Sequence, residues 1–208
     1  MIIAVDGPTA SGKGTIAKAL AAHFGLPHLD TGLLYRAVGR QVQLLGGNPD
    51  DPHDAIAACD FAEGLLEDDI LRSEDVGGYA SRVSVHLAVR HALYERQRAF
   101  ALQEGGAVLD GRDIGTVIAP EARVKLFVTA SVAERARRRW AEMTGRGIDV
   151  ALATIEHDIA ARDARDMNRK DAPLMAAPGA LVIDTTHFGR EAAIEAAIEA
   201  VEHKLGAD

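Results

Sequence analysis

Cysteine is nearly absent from this chain of 208 residues, because Cys59 is its only one. A single cysteine excludes a disulfide framework, and no cluster of cysteines or histidines has the spacing of a zinc site. Long apolar runs are missing too, since none approaches the roughly 20 residues that a membrane helix needs. No basic segment precedes a long apolar run at the start, so no signal peptide is expected. These absences predict a soluble, cytoplasmic protein.

The chain is also short of positive charge. It has 31 acidic residues against 23 lysines and arginines, which gives a formal net charge of -8. A surface that neutralises nucleic-acid phosphates needs a basic excess, so no nucleic-acid partner is expected. Internal repeats and low-complexity segments are missing as well, and without an apolar stripe the expected state is a monomer. The composition predicts a globular protein with one substantial core.

A glycine-rich segment at residues 7–15 is the most informative feature that the sequence does contain. It follows the apolar run 2–5 directly, and its residues are Gly7, Pro8, Thr9, Ala10, Ser11, Gly12, Lys13, Gly14 and Thr15. A buried strand that breaks into such a turn and then into a helical pattern is typical of a phosphate-binding loop. The backbone N–H groups of the loop and the positive end of the helix face one point, where an anion binds.

Two side chains of this loop indicate a nucleoside triphosphate. Lys13 supplies a compact positive charge for the outer phosphates, and the Thr15 hydroxyl suits a magnesium ion or a phosphate oxygen. The alternative is a plain glycine-rich turn with a surface lysine, which this spacing and placement disfavour. One departure needs an explanation: the strict pattern has serine or threonine directly after the lysine, whereas Gly14 stands there.

The rest of the chain alternates between predicted strands and predicted helices. Further strands are expected at 26–30, 107–110, 124–128 and 181–184, and helices at 16–24, 33–45, 79–102, 132–143, 150–168 and from the last strand to about 205. The segment 48–76 is rich in acids, and it predicts a helix over 54–66, a short extended piece over 69–73 and a solvated face. The alternation predicts an α/β fold, a three-layer sandwich with a mostly parallel five-stranded sheet.

Arginines and acids cluster where the predicted strands end, which is the edge at which such folds bind ligands. Thr31 and Arg36 follow the second strand, and Arg112 and Asp113 follow the third. Spacings of three and four put Arg162, Arg165, Asp166 and Arg169 along one face of a helix. Each cluster alone also fits a surface ion pair. Beside a phosphate loop, an arginine-lined cleft that stabilises a reacting phosphoryl group is the favoured interpretation.

Taken in order, five motifs of the chain resemble those of bacterial cytidylate kinase. They are GPTASGKGT at 7–15, LDTGLLYR at 29–36, RQRAF at 96–100, DGRDIGTV at 110–117 and RDARDMNRKDAPL at 162–174. The resemblance spans most of the chain, and its last two motifs are far more specific than the loop alone. It also accounts for Gly14, because nucleoside monophosphate kinases have Gly-Lys-Gly-Thr at this point.

The resemblance implies that the γ-phosphoryl group of ATP is transferred to CMP or dCMP, with Mg²⁺, in a closed arginine-lined cleft. This reaction belongs to pyrimidine nucleotide metabolism. Residues 1–208 are then one P-loop kinase domain, with an acceptor-binding insertion at 46–90 and a lid at 135–150. The insertion is shorter than in the longest relatives, so its small antiparallel sheet is expected to shrink to one hairpin or less. The lid contains Arg135, Arg137, Arg138 and Arg139.

Roles for single residues follow from the same resemblance. The monophosphate of the acceptor is expected to meet Thr31, Arg36 and Arg169, with Arg112 nearby, and its sugar hydroxyls to meet Asp166 and Arg162. The cytosine pocket is expected to contain Ser81, Arg90 and Asp113. The chemistry fits, since cytosine offers an N4 amino donor to a carboxylate where uracil places an acceptor. The residues expected to act in catalysis are Lys13, Arg112, Arg162 and Arg169.

Two other functions remain open on the residues alone. A GTP-driven switch uses the same kind of loop, and residues 168–171 partly match its guanine-reading Asn-Lys-x-Asp motif. Here, however, Lys170 stands one place too late, and the segment follows a predicted helix rather than a strand. A kinase for another small metabolite keeps the loop but lacks a cytosine pocket. For the metal, Thr15 is the best direct ligand and Asp110 a weaker outer-shell candidate.

Overall fold

A five-stranded sheet forms the centre of the fold in a computed structural model that describes residues 1–206. Its strands are β1 (Ile2–Asp6), β2 (His28–Asp30), β3 (Ala107–Gly111), β4 (Val124–Thr129) and β5 (Leu181–Asp184). Across the sheet they lie in the order β2-β3-β1-β4-β5. β1 pairs in parallel with both β3 and β4, and β4 pairs in parallel with β5. The predicted α/β fold is confirmed.

Eight α-helices alternate with these strands along the described chain. They are α1 (Lys13–Phe24), α2 (Thr31–Leu44), α3 (Pro52–Ala57), α4 (Glu74–Val83), α5 (Leu87–Ala101), α6 (Val132–Gly145), α7 (Leu152–Met167) and α8 (Arg190–Gly206). Short 3₁₀ turns span Glu63–Glu67 and Asp69–Arg72, and a π-helical turn spans Ile114–Ile118. Across residues 1–206, no helix combines the length and the apolar character that crossing a membrane requires.

The prediction of one helix over 79–102 is wrong, because the chain breaks between α4 and α5. The Ser84 hydroxyl donates to the carbonyl of Ser81 at 3.0 Å, and His86 Nε2 lies 2.9 Å from the carbonyl oxygen of Pro49. Such local side-chain bonds to the backbone compete with a continuous helix. α4 also begins earlier than predicted, because Ser73 caps it by accepting from the N–H of Val76.

The predictions for the acidic segment are also wrong in part. α3 begins at Pro52 rather than Asp54, because the Asp51 carboxylate caps its first turn and proline is favoured at the first helical position. It ends at Ala57 rather than continuing to Leu66. The piece predicted as extended over 69–73 is a 3₁₀ turn, which begins where the Asp68 side chain accepts from the N–H of Ile70.

The chain forms two compact units, residues 1–29 with 101–208 and residues 30–100. In the first unit, apolar side chains of the sheet pack against α1 and α8. Ile3 and Leu126 from the sheet, Leu20 from α1 and Val201 from α8 are all buried in this core. Each such side chain stabilises the fold by about 1.5–3 kcal/mol relative to an exposed one. This packing holds the ends of the strands in place.

The second unit is helical apart from the last residue of β2. Its core lies between α2 and its neighbours, where Leu34, Val38 and Val42 pack against Val83 and Leu93. Gly39 lets α2 approach α4 closely, since a Cβ there would lie 2.8 Å from the amide nitrogen of Ala80. The range 46–90 consists of helices and turns. The expected reduction of its small sheet to one hairpin or less therefore holds.

Candidate functional site

The loop predicted to bind phosphate lies between β1 and α1, in the first unit. Gly7 passes so close to β4 that a Cβ there would lie 2.0 Å from the carbonyl oxygen of Val128. Gly12 has φ 90°, in the left-handed region that favours glycine, and it caps α1. Ala10 also has a positive φ, 57°. The loop is thus a tight turn that directs its chain into the first turn of a helix.

Lys13 and Thr15 lie in the first turn of α1, at its positive end. The Lys13 ammonium donates to the carbonyl of Pro8 at 3.3 Å, so its side chain folds back over the loop. The Ser11 hydroxyl is buried and has no hydrogen-bond partner among the described residues. Backbone N–H groups, an ammonium and an unused hydroxyl within one turn are the groups that bind phosphate oxygens.

Two arginines of α6 contact the loop, and both lie in the segment predicted as a lid. Arg135 is 3% exposed; it donates to the carbonyls of Thr9 at 3.2 Å and of Ala130 at 2.9 Å, and it pairs with Asp163. Arg138 donates to the carbonyl of Ser11 at 3.4 Å. These contacts give both side chains an anchoring role in this structure. The other two arginines predicted for the lid, Arg137 and Arg139, pair with acids of α6 itself.

A cavity of about 400 Å³ opens beside the outer face of the loop. Its lining includes Gly12 and Thr15 from the loop and α1, Arg138 from α6, and Thr185 and Phe188 from the segment after β5. The Thr185 hydroxyl is 3.0 Å from both the carbonyl oxygen of Ser11 and a guanidinium nitrogen of Arg138, so the wall is tied to the loop. Of these residues, sequence reasoning missed Thr185 and Phe188. Their one signal is that 185–188 directly follows a predicted strand.

A cluster of three arginines surrounds Asp166 in the same unit. Arg112, which follows β3, donates to the Asp166 carboxylate, a side chain that is 3% exposed. Burial alone would raise the pKa of Asp166, but the positive charges of Arg112, Arg162 and Arg169 outweigh it and hold that pKa below its usual value. The carboxylate is therefore ionised at neutral pH and keeps three guanidinium groups together.

The predicted helical face of Arg162, Arg165, Asp166 and Arg169 is found only in part. Helix α7 ends at Met167, so Arg169 lies beyond it, where its guanidinium donates to the carbonyl of Ala172 at 2.9 Å. Arg165 is exposed, and the charges that lower the pKa of Asp166 are those of Arg112, Arg162 and Arg169. Thus Arg162 and Arg169 come together with Arg112 around Asp166.

Asp113 lies at the entrance to the π-helical turn and is 5% exposed. The N–H groups of Ile114 and Gly115, which follow it, donate to the buried carboxylate of Asp6. Asp6 is the last residue of β1, and sequence reasoning overlooked it because it reads as the mere end of a strand. The contact links the phosphate loop to the segment that contains Arg112 and Asp113.

Hard oxygen donors of the kind that Mg²⁺ prefers also lie near the loop. Beside the Thr15 hydroxyl in α1, Asp110 of β3 has an oxygen 3.6 Å from the position of a Cβ on Gly14. His28 Nε2 lies 2.7 Å from the other oxygen of Asp110 and orients the carboxylate. In residues 1–206, no group of three or more histidine, cysteine or acidic side chains is arranged to hold a metal ion.

The second unit contains four of the predicted site residues. Thr31, Ser81 and Arg90 are all nearly buried, at 3%, 2% and 7% exposure. The Arg90 guanidinium lies 5.8 Å from the centre of the Tyr35 ring, within cation–π range. Arg36 donates to the carbonyls of residues 71 and 73 at 2.6 and 2.9 Å. Side chains of these types are mostly exposed in folded proteins, so their burial here is an informative feature.

Comparisons with known proteins agree over nearly the whole chain. The family model described as cytidylate kinase matches residues 3–203. A cytidylate kinase from Cereibacter sphaeroides is 56% identical over 200 residues, which cover 96% of this chain and 94% of that protein. Another, from Xanthobacter autotrophicus, is 52% identical over 202 residues, which cover 97% of each.

Solved structures share the fold. A crystal structure of an uncharacterized protein from Eubacterium ventriosum superposes with a TM-score of 0.55 at 16% identity and covers 98% of both chains. The crystal structure of TT1252 from Thermus thermophilus gives a TM-score of 0.50 at 23% identity, with 99% of this chain and 97% of that chain covered. Both likenesses concern the architecture alone.

Proposed function

Because the chain belongs to the cytidylate kinase family, we infer that it transfers the γ-phosphoryl group of ATP to CMP or dCMP. The products are ADP and CDP or dCDP, so the protein is a nucleotide-binding transferase of pyrimidine metabolism. One observation of the structure carries the assignment of residues. The phosphate-type loop and the arginine cluster around Asp166 belong to the same unit, which is what a transfer between two phosphates requires.

The donor nucleotide is assigned to residues 7–15. Its β- and γ-phosphates accept from the backbone N–H groups of the loop and from Lys13, whose ammonium leaves the carbonyl of Pro8 to reach them. The adenosine extends into the cavity beside the loop, where Phe188 offers an apolar surface and Thr185 and Arg138 offer polar groups. A volume of about 400 Å³ lies within the range of small-molecule sites.

The acceptor is assigned residue by residue, as the motifs suggest. Its monophosphate is assigned to Thr31, Arg36, Arg112 and Arg169. Its sugar hydroxyls meet Asp166 and Arg162. The lowered pKa of Asp166 supports this role, because a carboxylate that stays ionised accepts hydrogen bonds from hydroxyl groups at all neutral pH values.

The base of the acceptor is assigned to Ser81, Arg90 and Asp113. A cytosine N4 amino group donates to the Asp113 carboxylate, and Arg90 and Ser81 donate to O2 and N3 of the ring. The burial of all three side chains supports the assignment, because a buried polar group that loses its partner costs about 1–3 kcal/mol. A uracil ring leaves Asp113 facing an acceptor and binds less well.

The chemical step needs charge stabilisation rather than a strong base. An oxygen of the CMP phosphate attacks the γ-phosphorus of ATP while the bond from that phosphorus to the β-phosphate oxygen breaks. With a second phosphate pKa of about 6, the acceptor is largely a dianion at neutral pH, so no proton has to leave first. Charge that spreads over the transferred group is stabilised by Lys13, Arg112, Arg162 and Arg169.

Mg²⁺ fits the oxygen donors near the loop. Thr15 would hold the ion directly, and Asp110, oriented by His28, would bind one of its water ligands. When bound, the ion neutralises charge on the β- and γ-phosphates.

We further assign residues 46–90 to acceptor binding and 135–150 to a lid that covers ATP, within one kinase domain, 1–208. In that assignment the anchored Arg135 and Arg138 form the base of the lid.

We expect the enzyme to act as a monomer, without nucleic-acid partners. Its net charge of -8 opposes binding to another polyanion. A cytoplasmic location follows from its substrates, because phosphorylated nucleotides carry charge that keeps them from crossing membranes, and the enzyme must share their compartment.

A coupled assay that measures ADP formation across CMP, dCMP, UMP, AMP and shikimate tests the function. The expected result is rapid turnover with CMP or dCMP and slow turnover with the other three acceptors. Preference for another acceptor would favour a different metabolite kinase. Tight binding of GTP without CMP-dependent consumption of ATP would favour a switch protein instead.

Replacing Asp113 by alanine is expected to reduce the preference for CMP over UMP by about 10- to 100-fold. The reason is that hydrogen bonds to a charged group contribute about 1.5–3 kcal/mol, and only cytosine donates one here. The measurement is the ratio of kcat/KM for the two acceptors. Asp158→Ala, at an exposed position of α7, is the control and leaves the ratio as it is. An unchanged ratio in the Asp113 variant would remove this residue from the base pocket.

Replacing Gly77 by alanine is expected to raise the KM for CMP by about 10-fold and leave the KM for ATP unchanged. A Cβ on Gly77 would lie 3.0 Å from one guanidinium nitrogen of Arg36 and 3.1 Å from the other, so the guanidinium must shift. Small misplacements of a positioning group cost this much. Gly78→Ala is the matched control, because a Cβ on Gly78 has no atom within 4 Å.

Both glycines are in α4, so both alanine variants should gain a few tenths to 1 kcal/mol of unfolding free energy from helix propensity. Thermal unfolding of the two proteins therefore separates a shift of Arg36 from damage to the fold. Equal KM values for CMP in the two variants would show that Arg36 does not bind the acceptor.

A further inference from the structure

Asp6 is a buried carboxylate to which none of the steps above gives a role. It ends β1, its exposure is 2%, and each of its oxygens accepts one backbone N–H at 2.8 Å, from Ile114 and from Gly115. Burying a charge is costly unless it is paired or hydrogen-bonded. A buried acid with both oxygens bonded to the same short segment therefore has a specific task, which is to hold that segment.

The segment that Asp6 holds is a π-helical turn whose first N–H groups have no partner within the turn. Inside the turn, the N–H groups of Val117 and Ile118 donate to the carbonyl of Asp113, and that of Ala119 donates to the carbonyl of Ile114. The first N–H groups of a helical turn have no partner within it. Asp6 supplies that partner from 108 positions away in the chain, as a side-chain cap.

The two ends of this contact adjoin the two binding elements of the first unit. On one side, Asp6 is followed directly by Gly7, where the phosphate loop begins. On the other side, Ile114 directly follows Arg112 and Asp113. Gly115 fits closely in this arrangement, since a Cβ there would lie 3.4 Å from an Asp6 oxygen and 3.2 Å from the Ala177 Cβ.

We propose that Asp6 is a positioning residue for acceptor recognition, which acts through the backbone of Ile114 and Gly115 to set the direction of Arg112 and Asp113. The proposal rests on the proposed role of Asp113 in reading cytosine. A positioning role and a purely structural role of Asp6 predict different measurable effects. A structural role lowers stability and overall turnover, whereas a positioning role lowers the discrimination between CMP and UMP.

The charge on Asp6 is sensitive to pH near neutrality. Burial raises its pKa to about 7; the hydrogen bonds from Gly115 and Ile114 lower it, the charge of Asp113 raises it and that of Lys13 lowers it. Lys125 of β4 packs its stem beside Gly115. Below this pKa, protonation removes the negative charge to which the two N–H groups are bonded. The turn is then held less firmly, and discrimination should fall as the pH falls through about 7.

Asp6→Asn is the main test, because an asparagine has one oxygen and one NH₂ group and can accept from only one of the two N–H groups. The ratio of kcat/KM for CMP to that for UMP is measured with the full chain at pH 6 to 8.5. Both acceptors have the same phosphate, so its titration cancels in the ratio. The expected result is a ratio lowered about 10-fold at pH 8 and independent of pH, with the KM for ATP changed less than about twofold.

Two further variants complete the experiment. Asp184→Asn is the matched control, since this carboxylate also ends a strand and accepts a backbone N–H, that of Thr186, but lies outside the turn. Its ratio should equal that of the wild type. Gly115→Ala displaces the turn itself, because a Cβ there would lie 3.2 Å from the Ala177 Cβ, 3.3 Å from the Lys125 Cδ and 3.4 Å from an Asp6 oxygen. It decides the question if Asp6→Asn fails to fold. A lowered ratio in Gly115→Ala supports the proposal.

An unchanged ratio in the variants that fold, or an equal change in the KM for ATP and for CMP, overturns the proposal. Asp113→Ala is measured in parallel and keeps the two hypotheses apart. If that variant retains the wild-type ratio, the proposed role of Asp113 in reading cytosine is refuted. If the Asp113→Ala ratio falls while the ratios of Asp6→Asn and Gly115→Ala equal that of the wild type, only the positioning role of Asp6 is refuted.

Discussion

Lys13→Met is expected to lower kcat by about 10³-fold while the protein remains folded. Methionine keeps the length and the apolar stem of the lysine but removes the one ammonium that folds over the loop, 3.3 Å from the carbonyl of Pro8. Removing a single donor aimed at developing charge in the transition state costs about 10²–10³-fold, and a full charge at the transferred group belongs at the upper end. The measurement is steady-state ADP formation with saturating CMP and ATP.

A second lysine on the same helix provides the control. Lys18 is exposed on α1, and Lys18→Met should keep kcat within about twofold of the wild type. Calorimetric titration with ATP separates binding from chemistry, because charge stabilisation in the transition state affects kcat more than ground-state affinity. A Lys13→Met variant with kcat within tenfold of the wild type would contradict our assignment of Lys13 to the transferred phosphoryl group.

Asp163→Ala is expected to lower the free energy of unfolding by about 3–5 kcal/mol. The carboxylate forms a two-pronged ion pair with Arg135, with one oxygen 3.1 Å from a guanidinium nitrogen, and both residues are nearly buried. Removing one partner leaves the other charge buried and uncompensated, and that is the main source of the loss. Urea unfolding at 25 °C measures it, with the two-state assumption checked by two optical probes.

An exposed ion pair on the same helix serves for comparison. Arg137 pairs with Glu134 at the surface of α6, and Arg137→Ala should cost less than about 1 kcal/mol. The Asp163 variant should also raise the KM for ATP, because Arg135 bonds the carbonyl of Thr9 in the loop. A loss of less than about 1 kcal/mol in Asp163→Ala would mean that Arg135 finds another partner or that water reaches it.

Local sequence patterns predicted most of the fold and part of the site. Strands and helices of the first unit were found because each is a short apolar run or a periodic segment bounded by glycine, proline or a capping residue. The loop was found because its spacing is local. The break between α4 and α5 was missed, since the contact of His86 with Pro49 joins positions far apart in the chain.

Buried charged residues were the hardest part to predict. Arg135 is one of several arginines on a helix, and its sequence context resembles that of the exposed Arg137. Only the three-dimensional position of Asp163, 28 residues later, distinguishes the two. Asp6 was overlooked for the same reason, because its partners lie in a distant turn. A pattern within one element says which face is apolar, but not which polar group meets a partner from elsewhere.

The strand order also determines when the loop can form during synthesis. β1 is made first, but its two neighbours in the sheet are β3 and β4, which end at Gly111 and Thr129. Pairing over such long separations is slow, because the entropy of closing a long loop is lost before any contact is gained. By contrast, residues 30–100 form one unit from a single continuous stretch of chain. A ribosome must therefore deliver more than half of the chain before residues 7–15 become competent for nucleotide.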